Sequence, residues 1–87
     1  MVELHDVHYE MELRGGGDIW RLKGRVVNHP DFPDYANISP SPPVEFDEVT
    51  NIMKTASGNT YKIISYVKTS VIKQIKSDVT KRGYEVH

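Results

Sequence analysis

Two stretches of strict alternation, separated by a few glycine-rich residues, constrain this chain more than any other feature of its sequence. From Val7 to Arg14, Val7, Tyr9, Met11 and Leu13 alternate with His8, Glu10, Glu12 and Arg14. From Ile19 to Val26, Trp20, Leu22, Gly24 and Val26 alternate with Arg21, Lys23 and Arg25. A period of two is the mark of a strand with one buried face. Between the runs, Gly15, Gly16, Gly17 and Asp18 accept the positive backbone angles of a tight reversal. The expectation is an antiparallel hairpin. With Arg14 opposite Ile19, Glu12 faces Arg21, Glu10 faces Lys23 and His8 faces Arg25 on one side. Leu13–Trp20, Met11–Leu22, Tyr9–Gly24 and Val7–Val26 then meet on the other, and Tyr9 covers the glycine. Each pair contributes about 0.2–1 kcal/mol, and a slip of one residue would exchange the faces. Val2 and Leu4 follow the opposite phase, so the strand either begins at Val7 or carries a bulge near Asp6.

The segment Asn28–Pro43 holds all five prolines of the chain. Proline cannot donate to a ladder and pushes the preceding residue away from helix, which predicts neither a central strand nor a helix there. Connections of this length are usually binding loops, lids or flexible segments, and proline density argues for a stiff one. Beyond it, Val44 to Asp47 reads as a short strand. Val49–Thr55 and Thr60–Tyr66 read as a second hairpin around Ala56-Ser57-Gly58-Asn59, with Thr55 opposite Thr60, Ile52 opposite Ile63 and Val49 opposite Tyr66. From Thr69 to Arg82, Val71, Ile72, Ile75 and Val79 recur at helical spacing, with Thr69 or Ser70 as N-cap, Lys81 and Arg82 in the last turn and Gly83 as closing residue. Tyr84 to His87 could add a short edge strand. Together these predict one α+β domain, residues 1–87: an antiparallel sheet of four to five strands, curled or barrel-like, with one C-terminal helix. Its expected core is Tyr9, Met11, Leu13, Trp20, Leu22, Val26, Phe46, Ile52, Ile63, Val71, Ile75 and Val79.

A chain of 87 residues has room for one modest core. There is no cysteine, so no disulfide can supplement it. Small sheets leave edges that must be covered or paired, which points to a homo-oligomer, a dimer in the first place. Lysine plus arginine number 11 and aspartate plus glutamate 12, a net charge of −1. Such a balance provides no whole-molecule field for a polyanion or a membrane surface. Met1–Leu13 has neither the basic start nor the apolar run of a secretory signal, and no stretch reaches the ~18 apolar residues of a membrane span. The expected location is the cytoplasm.

Chemistry is most concentrated in the proline-rich loop. His29, Asp31 and Asp34 are residue types that hold divalent metals or pair as acid and base, although they match no known ligand spacing and aspartates in turns commonly accept bonds from their own backbone. Phe32 and Tyr35 either present apolar area to a partner at low entropic cost or fold over an open end of the sheet and plug the core. Ser39-Pro40-Ser41-Pro42-Pro43 reads as a stiff connection. His5 and His8, three apart on a strand, point to opposite faces. The triple glycine does not open a helix, as a phosphate-binding loop would. Lys68, Lys73, Lys76, Lys81 and Arg82 make the helix basic, and Arg21, Lys23 and Arg25 form a stripe on the sheet, but Glu10 and Glu12 are placed to neutralise that stripe.

The run from Leu22 through Gly24, Val26, Asn28, His29, Pro30, Asp31, Phe32 and Asp34, followed by Ile38-Ser39-Pro40-Ser41-Pro42 and by Lys54-Thr55-Ala56-Ser57-Gly58-Asn59-Thr60-Tyr61-Lys62-Ile63, resembles a pattern of short bacterial proteins carried by mobile DNA. These are of the integron gene cassette and genomic island type. The likeness spans Trp20 to Ile63 and supplies no activity. The expected function is a non-enzymatic binding module that self-associates and contacts a protein partner through residues 28–43, with His29, Asp31, Phe32, Asp34 and Tyr35 at the contact. The alternatives are a small metal-dependent or hydrolytic enzyme using His29, Asp31 and Asp34, and a nucleic-acid-binding domain using the basic helix.

Overall fold

The computed structural model describes residues 1–14 and 17–81, as six strands and a helix: β1 Glu3–Arg14, β2 Gly17–Val27, β3 Ala36–Ile38, β4 Pro43–Asp47, β5 Ile52–Thr55, β6 Thr60–Ile63 and α1 Ser70–Lys81. The expected reversal at Gly15 and Gly16, the helix residue Arg82, the cap at Gly83 and the strand at Tyr84–His87 lie outside the described residues. The strands form one open sheet in the order β3-β2-β1-β6-β5-β4. It has six strands rather than four or five, it is not closed into a barrel, and it is mixed, because β1 runs parallel to β6. No described helix is long and apolar enough to cross a membrane.

The phase change near Asp6 is a bulge. Asp6 takes φ 53°, a left-handed conformation, and the β1–β2 register shifts between His5 and His8. The extra residue turns the side-chain alternation over, so Leu4 before it and Val7 after it both face the core with no exposure. The strand therefore continues back to Glu3, whose N-terminal half supplies the parallel ladder. Glu3 and Leu4 lie beside Lys62 and Ile63, Lys62 N–H donates to the Val2 carbonyl at 2.9 Å, and Ile64 N–H donates to the Leu4 carbonyl at 2.9 Å.

The hairpin forms, in a register displaced from the expected one. Arg14 pairs with Gly17, Met11 with Trp20, Glu10 with Arg21 and Tyr9 with Leu22. A displacement of two residues at the turn leaves each side chain on its expected face. It changes the partners, and beyond the bulge it brings Leu4, not Tyr9, against Gly24. The second hairpin differs by one residue: Met53 pairs with Tyr61 and Ile52 with Lys62. Residues 48–51 are a turn, not strand, with Asn51 at φ 58° and Asp47 Oδ1 accepting the Val49 N–H at 2.9 Å. Starting β5 at Ile52 lets Met53 and Thr55 face inward on the side that Tyr61 and Ile63 share, and leaves Ile52 only half-buried.

Helix α1 meets its expectation closely. Val71, Ile75 and Val79 are buried, Ile72 is partly so, and Lys81 lies in the last turn. With Leu4, Val7, Leu22, Val26, Phe46, Met53, Tyr61 and Ile63 they form one core. Met11, Leu13 and Trp20, expected inside, are 51%, 83% and 62% exposed. The sheet-to-helix contact ends near Tyr9, whose hydroxyl donates to Asp78 Oδ2 at 2.9 Å. Past that point Met11 and Leu13 lie exposed among the described residues.

A Cβ built at Gly24 would stand 2.8 Å from Leu4 Cγ and Cδ1, and Leu4 is fully buried. Overpacking of this kind costs about 1–3 kcal/mol. For a domain of this size each kcal/mol corresponds to roughly 4–8 °C in Tm. Gly24→Ala should lower the thermal midpoint accordingly, and Leu4→Ala in the same chain should not add its full separate cost, which a double-mutant cycle measures.

Candidate functional site

The proline-rich segment divides into an exposed turn and a buried anchor. At its start Asn28 adopts φ 64° and reverses the chain leaving β2. Its N–H donates to Asp34 Oδ1 at 3.1 Å, so the Asp34 carboxylate closes the turn from inside. The Asp31 N–H donates to His29 Nδ1 at 3.0 Å. That nitrogen is therefore an acceptor, which places the ring proton of the neutral imidazole on Nε2. Tyr35, at φ 67°, donates its N–H to the Val26 carbonyl at 2.6 Å, and Ala36 N–H donates to the Pro33 carbonyl at 3.1 Å. The chain then returns along β2 as β3, with Ala36 opposite Val26 and Ile38 opposite Gly24. So part of the predicted connection is an edge strand. At the far end Pro40 and Pro43 are buried.

The two aromatic rings of the turn are on display. Phe32 is 45% and Tyr35 57% exposed. Phe32 meets the His29 ring edge-on with centroids 4.8 Å apart, while Tyr35 lies against His5 at 5.6 Å. The five expected contact residues thus separate. His29, Asp31 and Phe32 line one cleft of about 410 Å3 between this turn and the β5–β6 hairpin. Asp34 is engaged with the backbone, and Tyr35 belongs to the His5 contact. Of this segment Pro40 and Pro43, not these rings, are buried.

The opposite wall of the cleft could not be read from local sequence. Ser41 Oγ donates to Ser57 Oγ at 2.8 Å and accepts the Ser57 N–H at 3.0 Å, which ties the loop to the β5–β6 turn. Asn59 Nδ2 donates to Ser57 Oγ at 3.3 Å, and Ser39 Oγ donates to the Leu22 carbonyl at 3.2 Å. These hydroxyls are spent on one another, so the wall is a rigid hydrogen-bonded support. Tyr61 closes the floor, and burial pushes its phenol above the ordinary value, keeping it neutral. What faces outward is chiefly the Phe32 ring, with His29 and Asp31 beside it.

Other chemistry finds less to work with. With Nδ1 of His29 and Oδ1 of Asp34 both bonded to backbone N–H groups, the trio does not present a convergent acid–base set. Among the described residues no three His, Asp or Glu side chains gather as a metal-binding group. On the outer sheet face Lys23 Nζ lies 2.8 Å and Arg21 Nε 3.9 Å from Glu12, and Arg25 Nε lies 3.9 Å from Asp6. On α1, Lys76 Nζ is 2.9 Å from Glu48. The cations of the sheet stripe are thus answered by neighbouring carboxylates, while on α1 Lys76 alone of the described lysines is so paired. On the same face the His8 ring nitrogens lie 2.7 Å from the Asp6 carbonyl and 2.9 Å from Glu10 Oε1.

Those two acceptors, the Asp6 carbonyl first and the Glu10 carboxylate second, raise the His8 pKa above its ordinary 6.5. A raised folded-state value means that protonated His8 stabilises the fold below about pH 6.5 and that this contribution is lost as pH rises through the folded value. His8→Gln should therefore reduce Tm more in mildly acidic than in alkaline buffer. The His8 imidazole resonances should titrate with a midpoint above 6.5.

Comparison with protein-family models, with curated proteins and with solved structures returns no match, so the functional reading rests on the chain's own geometry.

Proposed function

We propose that this protein is a non-enzymatic binding module of the cytoplasm, an accessory protein of the kind that bacterial mobile DNA carries, which self-associates and contacts a protein partner through the turn at His29–Tyr35. The observation that carries the reading is the state of Phe32. The ring stays half in solvent although its backbone is fixed by the Asn28–Asp34 and His29–Asp31 bonds and its edge by His29. An aromatic side chain already immobilised at an exposed position loses little entropy on being covered, which is the economy of an interface anchor. His29 Nε2–H and the Asp31 carboxylate flank it as a donor and an acceptor that could fix a partner's orientation. The rigid serine wall behind them holds the shape.

Phe32→Ala should remove the anchor while leaving the fold intact. Truncating an interface anchor costs about 2 kcal/mol or more, roughly a 30-fold loss of affinity. Truncating an exposed side chain away from the core should shift stability by no more than about 0.5 kcal/mol. Affinity capture from a bacterial lysate with wild-type and Phe32→Ala protein, with thermal melts alongside, reads both. A partner captured equally by the two proteins, or none captured by the wild type, overturns the assignment of the turn.

A further inference from the structure

The cleft between the His29–Tyr35 turn and the β5–β6 hairpin is one-sided in charge. Residues 28–43 carry Asp31 and Asp34 and no lysine or arginine, and residues 55–61 on the facing wall carry no charged side chain. No lysine or arginine lines the cleft. Arg21 reaches the rim, where its Nε donates to Ser39 Oγ at 3.2 Å, but its charge is answered by Glu12 at 3.9 Å. The two aspartates differ in what they do. Asp34 accepts the Asn28 N–H and holds the turn. Asp31 gives its own N–H to His29 Nδ1, while its carboxylate, exposed at the cleft, makes no hydrogen bond or ion pair among the described residues. An exposed carboxylate needs no partner for the sake of the fold, so its neighbours decide what it can do.

Those neighbours are an aromatic ring and neutral polar groups. Phe32, next in the chain, meets His29 at 66° rather than stacked and stays 45% exposed. The floor is the Tyr61 ring, 3% exposed, with its phenol held neutral by burial. Asn59, whose amide nitrogen donates to Ser57 Oγ at 3.3 Å, keeps its amide oxygen as an acceptor. A negative charge beside an aromatic ring, over a floor of low polarity, attracts a cation more strongly than an aspartate in open water does. We infer that the cleft receives an arginine side chain of the protein partner, with the guanidinium lying on Phe32 and donating to the Asp31 carboxylate. The inference rests on the partner contact put forward above and deepens it. Arginine suits the place better than lysine, because a planar guanidinium stacks on a ring while its forked donors reach a carboxylate, whereas an ammonium is compact and strongly hydrated. The Asn59 oxygen takes one of the remaining donors. His29 Nε2–H is left for a main-chain carbonyl of the segment that carries the arginine. A cleft of about 410 Å3 has room for that side chain. An acidic segment would meet Asp31 and Asp34 with no lysine or arginine of the cleft to receive it.

Titration of the isotope-labelled full chain with acetyl-Gly-Arg-Gly-amide, followed by NMR, tests this. The controls are the same peptide with citrulline, which keeps the shape of arginine and loses its charge, and with lysine. The expected result is a saturable shift of the His29, Phe32 and Asn59 resonances with the arginine peptide, a weaker one with lysine and none with citrulline. Asp31→Asn should weaken binding of the arginine peptide about tenfold or more, as loss of a hydrogen bond to a charged group does, and leave Tm where it is. No saturable shift with the arginine peptide, an equal response to citrulline, or an Asp31→Asn chain that binds as wild type does overturns the arginine assignment. Where any of these accompanies a partner captured through Phe32, the turn remains the contact surface and only the arginine is lost. Capture that ignores Phe32→Ala removes the turn itself, and the arginine with it.

Discussion

The bulge at Asp6 is the constraint from which the rest of the sheet follows. One residue in a left-handed conformation lets β1 present Leu4 and Val7 to the same core although they are an odd number of positions apart. It also divides the strand into halves with different neighbours. The N-terminal half is flanked on both sides, by β2 and β6, with Leu4 seated in the space that Gly24 leaves empty. The C-terminal half has β2 on one side, and on the other Val7 is bonded to Ser65 and Val67. Without the bulge, a core set by Val7 would turn Leu4 to the outer face and remove the filling for Gly24.

Most of the secondary structure was legible because alternation and helical spacing report burial directly. Register was less so, and the two hairpins show why. In the first, opposite charges support two pairings that differ by two residues, and both keep the same faces; only the closeness of the turn at Arg14 and Gly17 distinguishes them. In the second, the decisive fact is that Glu48–Asn51 forms a turn bound by the Asp47 carboxylate. Val49 and Ile52 look strand-like in sequence, yet Val49 ends 90% exposed and Met53 takes the core position expected for Ile52. The three-residue strand Ala36–Ile38 carries too little pattern to be seen, and it forms because Asn28 and Tyr35 turn the chain back onto β2.

The proline-rich loop was legible in kind and less so in detail. Proline density marked where the chain leaves the sheet, although Ala36–Ile38 within it is edge strand and Pro43 opens β4, and Phe32 and Tyr35 lie exposed. The sequence could not separate Asp31, which lines the cleft, from Asp34, which holds the turn, because both are aspartates beside prolines. Nor could it place Ser57 and Asn59 across from His29, a proximity created only when β6 takes its place beside β1.

The parallel ladder between the start of the chain and β6 has a kinetic side. Both hairpins join neighbours in sequence, whereas Glu3 and Leu4 must find Lys62 and Ile63 across about two thirds of the chain. Closing so long a segment carries an entropic cost that rises with the logarithm of its length and must be met before the contact returns any energy. A two-stranded hairpin by itself is marginally stable at best, so the ladder that joins the two matters to both. The contacts of residues 2–7 with 62–67 are what bind the two hairpins into one sheet.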